Sequence, residues 1–156
     1  MSRKQQRVRR RFAVRGSSIH GRGVFTLRKM RKGERIIEYT GERISHAVAD
    51  QRYESGHEAY DPHTFLFTVD DETVIDATRG GNSSRWFNHS CSPNCEAEDE
   101  DGSIYLEALR DIRPGEELTY DYRLYLDEPH TPANKRENPC FCGARRCRKT
   151  LLRAKR

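Results

Sequence analysis

Short apolar runs alternate with polar turn segments along most of the chain. The runs are rich in β-branched and aromatic residues and are bounded by turn signals about every eight to twelve residues. Long helical periods are missing from the sequence, so the pattern predicts a mostly β fold built from small sheets. The predicted strands cover residues 23–26, 35–39, 65–69, 73–76, 104–109 and 117–120.

Two short segments carry helix signals. Ser45 can cap a helix over residues 45–55, and Gly56 can end it. A second, shorter helix is predicted over residues 82–88. The chain therefore has little predicted helix.

Glycine and proline mark the turns and one linker. Residues 31–34 and 113–116 each combine a basic residue with Gly-Glu ahead of a strand, which is typical of a turn. Residues 127–139 contain three prolines and show no periodicity. We therefore expect this last segment to be a linker.

The length of 156 residues corresponds to one domain. Seven Tyr, six Phe and one Trp argue against global disorder, because bulky apolar groups offset the entropy of ordering. No apolar stretch approaches the roughly 20 residues needed to span a bilayer, and the charged N-terminus lacks a following apolar segment. The sequence thus predicts a folded protein that neither spans a membrane nor is secreted, and no membrane partner.

Charge is distributed unevenly along the chain. Residues 1–15 and 144–156 hold fourteen of the 29 Lys and Arg residues and none of the 24 acidic ones, so the body between them is acidic. Basic ends favour nonspecific contact with nucleic acid or serve as solvated tails, whereas an acidic body favours a basic partner. The run at 96–101 is predicted to be a solvated turn that could also steer a basic peptide.

Five cysteines, an odd number, accompany no secretory signal, which argues against a disulfide framework. Cys140, Cys142 and Cys147 form a C-x-C-x4-C pattern that can aim three thiolates at one point. Cys91 or Cys95 would supply the fourth ligand of a tetrahedral zinc site. Such a zinc ion would be structural, because four thiolates leave no open position. The alternative is a chance cluster of reduced thiols.

Four blocks in fixed order carry a family resemblance. They are H-G-R-G-V-F at 20–25, Y-T-G-E at 39–42, R-W-F-N-H-S-C-S-P-N-C at 85–95 and G-E-E-L-T-Y-D-Y at 115–122. Together they resemble the SET-domain protein lysine methyltransferases, nearest the trithorax-like branch in a minimal form. The cysteine triplet resembles the post-SET zinc module of that family.

The resemblance covers roughly residues 13–152 and implies the SET fold, with small β-sheets around a pseudoknot, short helices and a C-terminal zinc-bound segment. The implied domains are a basic tail at 1–12, a SET domain at 13–126, the linker at 127–139, and a post-SET segment with a basic tail at 140–156.

The resemblance implies a binding site for S-adenosylmethionine. Glycines beside His20 and Arg22 let backbone approach a ligand, although a plain turn would look the same. Phe65 stands where the family often has a tyrosine, and Asn88-His89 alone would suggest a buried structural pair. The implied contacts are His20, Gly21, Arg22, Gly23, Phe65, Asn88, His89 and Phe141.

The resemblance also implies that Cys91 is the fourth ligand of one zinc ion, which leaves Cys95 as a core residue or a free thiol. The zinc would tie the C-terminal segment to the knot region. Phe141 and Leu151 or Leu152 could then enclose the adenine ring of S-adenosylmethionine.

Three tyrosines are implied to carry the chemistry. Tyr122 matches the catalytic tyrosine of the family, and Tyr39 matches another aromatic residue of the lysine channel. Tyr120 occupies a position where the family has Phe or Tyr, and a hydroxyl there implies mono- or dimethylation. Without the family pattern, all three would be predicted to be half-buried strand aromatics.

We therefore expect transfer of a methyl group from S-adenosylmethionine to the ε-amine of lysine in a basic protein such as a histone. The expected location is intracellular, in the nucleoid of a bacterium or on eukaryotic chromatin. Residues 42–64, where substrate choice usually resides, contain no readable motif. The alternative is a zinc-stapled module that binds nucleic acid or protein without catalysis.

Overall fold

The computed structural model describes residues 10–53, 65–126 and 128–154. Within these ranges the chain forms ten short strands, two α-helices and one 3-10 helix, as the mostly β prediction requires. In chain order the elements are β1 (Phe12–Gly16), β2 (Arg22–Thr26), β3 (Arg35–Glu38), β4 (Glu42–Ile44), α1 (His46–Tyr53), β5 (Leu66–Thr68), β6 (Val74–Asp76), the 3-10 helix (Ser83–Trp86), β7 (Asn88–His89), β8 (Cys95–Glu100), β9 (Ser103–Ala108), β10 (Glu117–Tyr120) and α2 (Pro132–Glu137).

The first sheet has the strand order β1-β2-β10-β7. Strand β10 pairs antiparallel to β2, with Leu118 opposite Val24, and parallel to the two-residue β7, with Tyr120 opposite His89. Residues far apart in sequence thus become neighbours at the end of β10. This pairing positions the candidate site.

Two three-stranded sheets complete the β structure, in the orders β3-β9-β8 and β4-β6-β5. Strand β9 alternates strictly, burying Ile104, Leu106 and Ala108 while the residues between them reach the surface. Leu106 joins Val24, Phe87 and other side chains in the main core, and Ile104 joins a smaller cluster beneath β6.

A buried carboxylate holds helix α1 on the third sheet. Asp76 of β6 accepts hydrogen bonds from Arg52 (3.0 Å) and from the Tyr53 hydroxyl (2.8 Å). Its pKa is lowered, because these donors and Thr78 together outweigh the effect of burial, which alone would raise it. The carboxylate therefore stays charged and fixes the last turn of α1.

Most predicted elements are confirmed. All six predicted strands form with shifts of one residue or less at their ends, and β10 matches its predicted bounds. Ser45 caps α1 by accepting a hydrogen bond from the backbone N–H of Val48, while Gly56 lies outside the described residues. The two predicted turns contain Gly33 and Gly115, each with a φ of +82° or more, a conformation that favours glycine.

Other predictions need correction. Residues 82–88 form a 3-10 helix capped by Asn82 and then strand β7, rather than one helix. The acidic run at 96–101 is not a turn, since its first five residues belong to β8 and pair with β9. An edge strand tolerates these carboxylates because its outward side chains remain in water.

Strands β1, β4, β7 and β8 were absent from the prediction, and helix α2 lies inside the predicted linker. The helix begins with a local signal, because the Thr131 hydroxyl caps it and Pro132 follows. Among the described residues, no helix has the length and apolar character needed to cross a membrane. The threading expected of a pseudoknot stays a prediction.

Candidate active site

The side-chain amide of Asn88 joins three of the sequence blocks. Asn88 is only 2% exposed, and its Nδ2 donates to the carbonyl oxygens of His20 (3.1 Å) and Arg22 (2.9 Å). The same nitrogen donates to Oε1 of Glu117 at 2.8 Å. The loop before β2, the short β7 and the start of β10 therefore meet at one buried amide.

Glu117 is a site residue that the sequence analysis did not single out. Its carboxylate accepts from the Ser17 hydroxyl at 2.8 and 2.9 Å as well as from Asn88. A Cβ atom on Gly23 would lie 2.0 Å from Glu117 Oε1, so a larger residue here would displace the Glu117 carboxylate from its present contacts. Gly21 has a φ of +42°, which favours glycine for its backbone conformation. The place of Glu117 within the fourth block was the available signal.

A groove opens beside this junction. The C-terminal segment forms its apolar wall, in which Phe141 remains 62% exposed. Leu151 and Leu152 are both buried; Leu151 lines the groove, and Leu152 bridges to Leu124 of the chain after β10. The full lining is Ile19, His20, Asn88, His89, Tyr122, Pro139, Phe141 and Leu151. Polar groups on one side and an exposed aromatic ring on the other fit a ligand with a polar part and a flat ring.

His89 connects the groove to the cysteines. Its Nδ1 accepts from the backbone N–H of Tyr122 (3.0 Å), so the ring hydrogen resides on Nε2, 3.4 Å from Cys91 Sγ. Burial lowers the pKa of His89 to about 4, assisted by Arg148 and opposed by Asp121. The imidazole is therefore neutral near pH 7 and acts as a fixed donor and acceptor.

Four cysteines form a thiol cluster, defined as Cys91, Cys140, Cys142 and Cys147. Their sulfurs all lie within 4.8 Å of one another, with Cys91 3.8 Å from Cys140 and 4.0 Å from Cys147. A zinc ion with four Zn–S bonds of about 2.3 Å would separate its sulfurs by about 3.8 Å. The donor set and spacing thus fit one structural zinc ion.

Cys95 takes no part in this cluster. It lies in the main core without exposure, and burial raises the pKa of its thiol to about 12. Of the two candidates for the fourth ligand, the structure brings Cys91 and not Cys95 to the triplet.

An ion pair adds a second tie between the C-terminal segment and the end of β10. Arg148 binds Asp121 through two hydrogen bonds of 2.8 and 3.1 Å, and its backbone N–H points to Cys91 Sγ at 3.4 Å. Burial alone would raise the pKa of Asp121, yet Arg148 and the backbone N–H of Arg123 lower it. Both residues were missed from the sequence, where they read as surface charges.

The three predicted tyrosines lie in one aromatic wall. Tyr120 and Tyr122 have ring centroids 4.9 Å apart, and Phe67 lies 6.4 Å from Tyr120 and 5.2 Å from Tyr39. The Tyr122 hydroxyl donates to the carbonyl oxygen of Phe87 at 2.5 Å. Burial raises the pKa of Tyr39 and Tyr120 well above the ordinary value, so both hydroxyls stay protonated.

Phe65 lies apart from the groove lining. Its ring packs edge-to-face on Trp86 with centroids 5.2 Å apart, and the Arg22 guanidinium lies 5.7 Å from the Trp86 ring centre. Phe67, two residues later, is the member of β5 that reaches the aromatic wall. Both rings pack against the cluster that contains Tyr39 and Ile75, but Phe65 lies one residue before β5 and its ring turns to Trp86.

Comparison with known proteins matches residues 21–123 to the family described as the SET domain. The chain is 42% identical over 139 residues to histone-lysine N-methyltransferase trithorax of Drosophila virilis, an alignment covering 86% of this chain and 3% of that protein. It is also 42% identical over 139 residues to histone-lysine N-methyltransferase 2B of Homo sapiens, an alignment covering 86% of this chain and 5% of that protein. It is 40% identical over 136 residues to the H3 lysine-4 specific histone-lysine N-methyltransferase of Schizosaccharomyces pombe, an alignment covering 85% of this chain and 14% of that protein. The chain thus spans a small fraction of each relative.

Replacing cysteines one at a time tests the thiol cluster. We expect the purified wild-type chain to carry about one zinc ion, and Cys142→Ala to lose most of it because three thiolates remain. Cys95→Ala is the matched control and should keep its zinc, since Cys95 lies outside the cluster. Elemental mass spectrometry of the folded proteins measures the number of zinc ions per chain. Zinc retained by Cys142→Ala and lost from Cys95→Ala would contradict the assignment.

Proposed function

This chain belongs to the SET-domain family, and on that basis we propose that it transfers a methyl group from S-adenosylmethionine to the ε-amine of a lysine in a protein substrate. The family resemblance seen in the sequence, including its trithorax-like character, is confirmed by the match over residues 21–123 and by relatives about 40% identical. The observation that carries the proposal is that Tyr122 belongs to both the groove and the aromatic wall. One residue can therefore meet both reactants.

The groove provides the proposed cofactor site. S-adenosylmethionine, when bound, supplies a methyl group made electrophilic by a sulfonium. The exposed ring of Phe141 and the groove-lining Leu151 offer apolar surface to the adenine, while Asn88 fixes the backbone of the loop at 20–23. A contact from Phe65 stays a prediction, since this residue packs on Trp86. The proposed contacts are His20, Gly21, Arg22, Gly23, Asn88, His89 and Phe141.

The aromatic wall suits a lysine side chain that must be neutral to react. A free lysine has a pKa of about 10.4, and burial among aromatic rings disfavours its charged form. The raised pKa values of Tyr39 and Tyr120 keep both hydroxyls uncharged, so no phenolate stabilises the ammonium there. The wall thus favours the reactive amine.

Tyr122 is proposed to orient the amine. Its O–H donates to the Phe87 carbonyl, and its backbone N–H donates to His89, so both ends of the residue are held. A hydroxyl oxygen whose hydrogen is already donated can only accept a further hydrogen bond. A lysine N–H would therefore donate to it, which directs the lone pair of the amine elsewhere, toward the methyl group.

A basic protein is the proposed substrate. Strand β8 presents Glu98, Asp99 and Glu100 at the edge of its sheet, and their field attracts cations. The relatives carry names that identify them as histone-lysine methyltransferases. We therefore propose a histone or a similar nucleoid protein as substrate, and a location in the cell where such proteins occur. Nucleic-acid contact through the termini stays a prediction, because residues 1–9 and 155–156 lie outside the described residues.

Loss of the Tyr122 hydroxyl tests the proposed activity. We expect Tyr122→Phe to lower kcat for lysine methylation by about 100-fold or more, because the amine loses its orienting acceptor. Core histones and a basic nucleoid protein are the substrates, with labelled S-adenosylmethionine and mass spectrometry as readout. Tyr105→Phe is the matched control, since it removes a hydroxyl in β9 and keeps the ring beneath Arg35.

Full lysine methylation by Tyr122→Phe would exclude the proposed role of this hydroxyl. A folded, zinc-loaded wild-type chain that binds no S-adenosylmethionine would instead favour a module that binds without catalysis.

Tyr120 is expected to limit the product to mono- or dimethyllysine. Its buried hydroxyl occupies space beside Tyr122 and can hold a water molecule, which hinders rotation of a methylated amine. Tyr120→Phe should therefore raise the fraction of more highly methylated lysine severalfold, as counted by mass spectrometry of one peptide over time. An unchanged product distribution at equal total turnover would rule out this role.

A further inference from the structure

Two loops at the end of β10 opposite Tyr120 are held together by buried residues. Met30 and Ile112 exchange backbone hydrogen bonds of 2.9 and 2.8 Å, and both side chains are fully buried. Because the bridge points these two side chains inward, the neighbouring residues are exposed. These neighbours form a basic face, defined as Arg28, Lys29, Arg31, Lys32, Arg110 and Arg113.

The basic face carries more positive charge than its counter-ions neutralise. Glu34 pairs with Arg28 (3.0 Å), Asp111 with Lys29 (3.6 Å) and Glu116 with Arg110 (2.9 Å). In the described part of the chain, the other three cations of the face, Arg31, Lys32 and Arg113, have no carboxylate within ion-pair distance.

The antiparallel bridge also sets like charges side by side. It places Lys29 across from Arg113, while Arg31 lies across from Asp111. The concave surface that Lys29 and Arg113 line also contains Arg110 and the two acids Asp111 and Glu116. Like charges directly opposite each other lower stability in the free protein. An anion that binds between them would remove this cost.

The N-terminal segment adds charge at the same edge. The backbone N–H of Leu27 donates to the carbonyl of Arg11 at 2.9 Å, which holds the chain beside the loop of Arg28. Arg10 precedes this contact, and residues 1–9 hold four more Lys and Arg residues in the sequence. In the sequence, the run of positive charge therefore continues from Arg10 toward the N-terminus.

We propose that the basic face binds the phosphate backbone of a nucleic-acid duplex. Four of its six cations are arginines, whose guanidinium groups bind phosphate through paired hydrogen bonds. Residues 28–32 and 110–116 contain no aromatic residue on which single-stranded bases could stack. A protein partner would normally need a central apolar or aromatic anchor, and the apolar residues of the bridge are buried.

The basic face and the candidate active site lie at opposite ends of β10. Strand β10 begins after Glu116 at the basic face and ends at Tyr120, a separation of about 14 Å at roughly 3.4 Å per residue. The acidic end of β8 lies at the far end of the β8–β9 hairpin from Arg110. A chain bound to a duplex could thus meet basic proteins held on the same duplex. The binding proposal itself does not depend on the methyltransferase activity.

Fluorescence anisotropy with labelled duplexes of about 20 base pairs tests the proposal across a salt series, using the whole zinc-loaded chain. Removing two phosphate contacts should reduce the slope of log affinity against log salt by about 1.8. We expect R31A/R113A to show this reduction and a Kd raised about tenfold or more near 0.1 M salt. K135A/R136A is the matched control, because it removes two exposed charges from α2. It should bind like wild type.

Duplex DNA and duplex RNA are tested separately. The proposal is supported if either duplex binds the wild type and K135A/R136A equally well and binds R31A/R113A more weakly. The duplex that binds identifies the nucleic acid that this face recognises. Equal weakening of both double variants would show diffuse attraction and overturn it. Tighter binding of single strands, or of polyglutamate, or no duplex binding by the wild type near 0.1 M salt, would also overturn it. Circular dichroism melts confirm that the variants are folded.

Discussion

The buried amide of Asn88 is the contact on which the candidate site depends. A buried polar group without a partner costs about 1–3 kcal/mol, so this amide has to be matched by acceptors wherever it lies. The acceptors come from the loop before β2 and from Glu117, the first residue of β10. The fold satisfies this side chain with acceptors from two distant pieces of chain, and the polar wall of the groove results.

The opposite wall belongs to a segment with little core of its own. Helix α2 buries none of its side chains, and the residues that follow are held by the thiol cluster and by the Arg148–Asp121 pair. Cys91 follows β7 closely and Asp121 follows β10 directly, so both ties end within three residues of the first sheet. Zinc ligation would thus serve as folding energy for the apolar wall. His89, bonded to both Tyr122 and Cys91, links the two walls.

Sequence reasoning reached the features that rest on local or periodic signals. Strand β9 alternates, α1 begins at a capping serine, and the C-x-C-x4-C spacing predicts clustered thiols. Long-range strand pairing could not be predicted in this way. Strand β7 has only two residues, and its parallel partner β10 lies about 30 residues further along the chain. Glu117 and Asp121 were not singled out, because their roles depend on the distant partners Asn88, Ser17 and Arg148. Strand β8 was mistaken for a turn because its carboxylates hide the strand pattern.

Both walls of the groove are expected to be needed for binding S-adenosylmethionine. Calorimetric titration of S-adenosylmethionine into the zinc-loaded chain and into the same chain stripped of zinc tests this expectation most directly, with hydrogen exchange reporting on β2 and β10. We expect zinc removal to lower the affinity at least tenfold while β2 and β10 stay protected, and we expect the affinity to recover when zinc is restored. Equal affinity with and without zinc would contradict it.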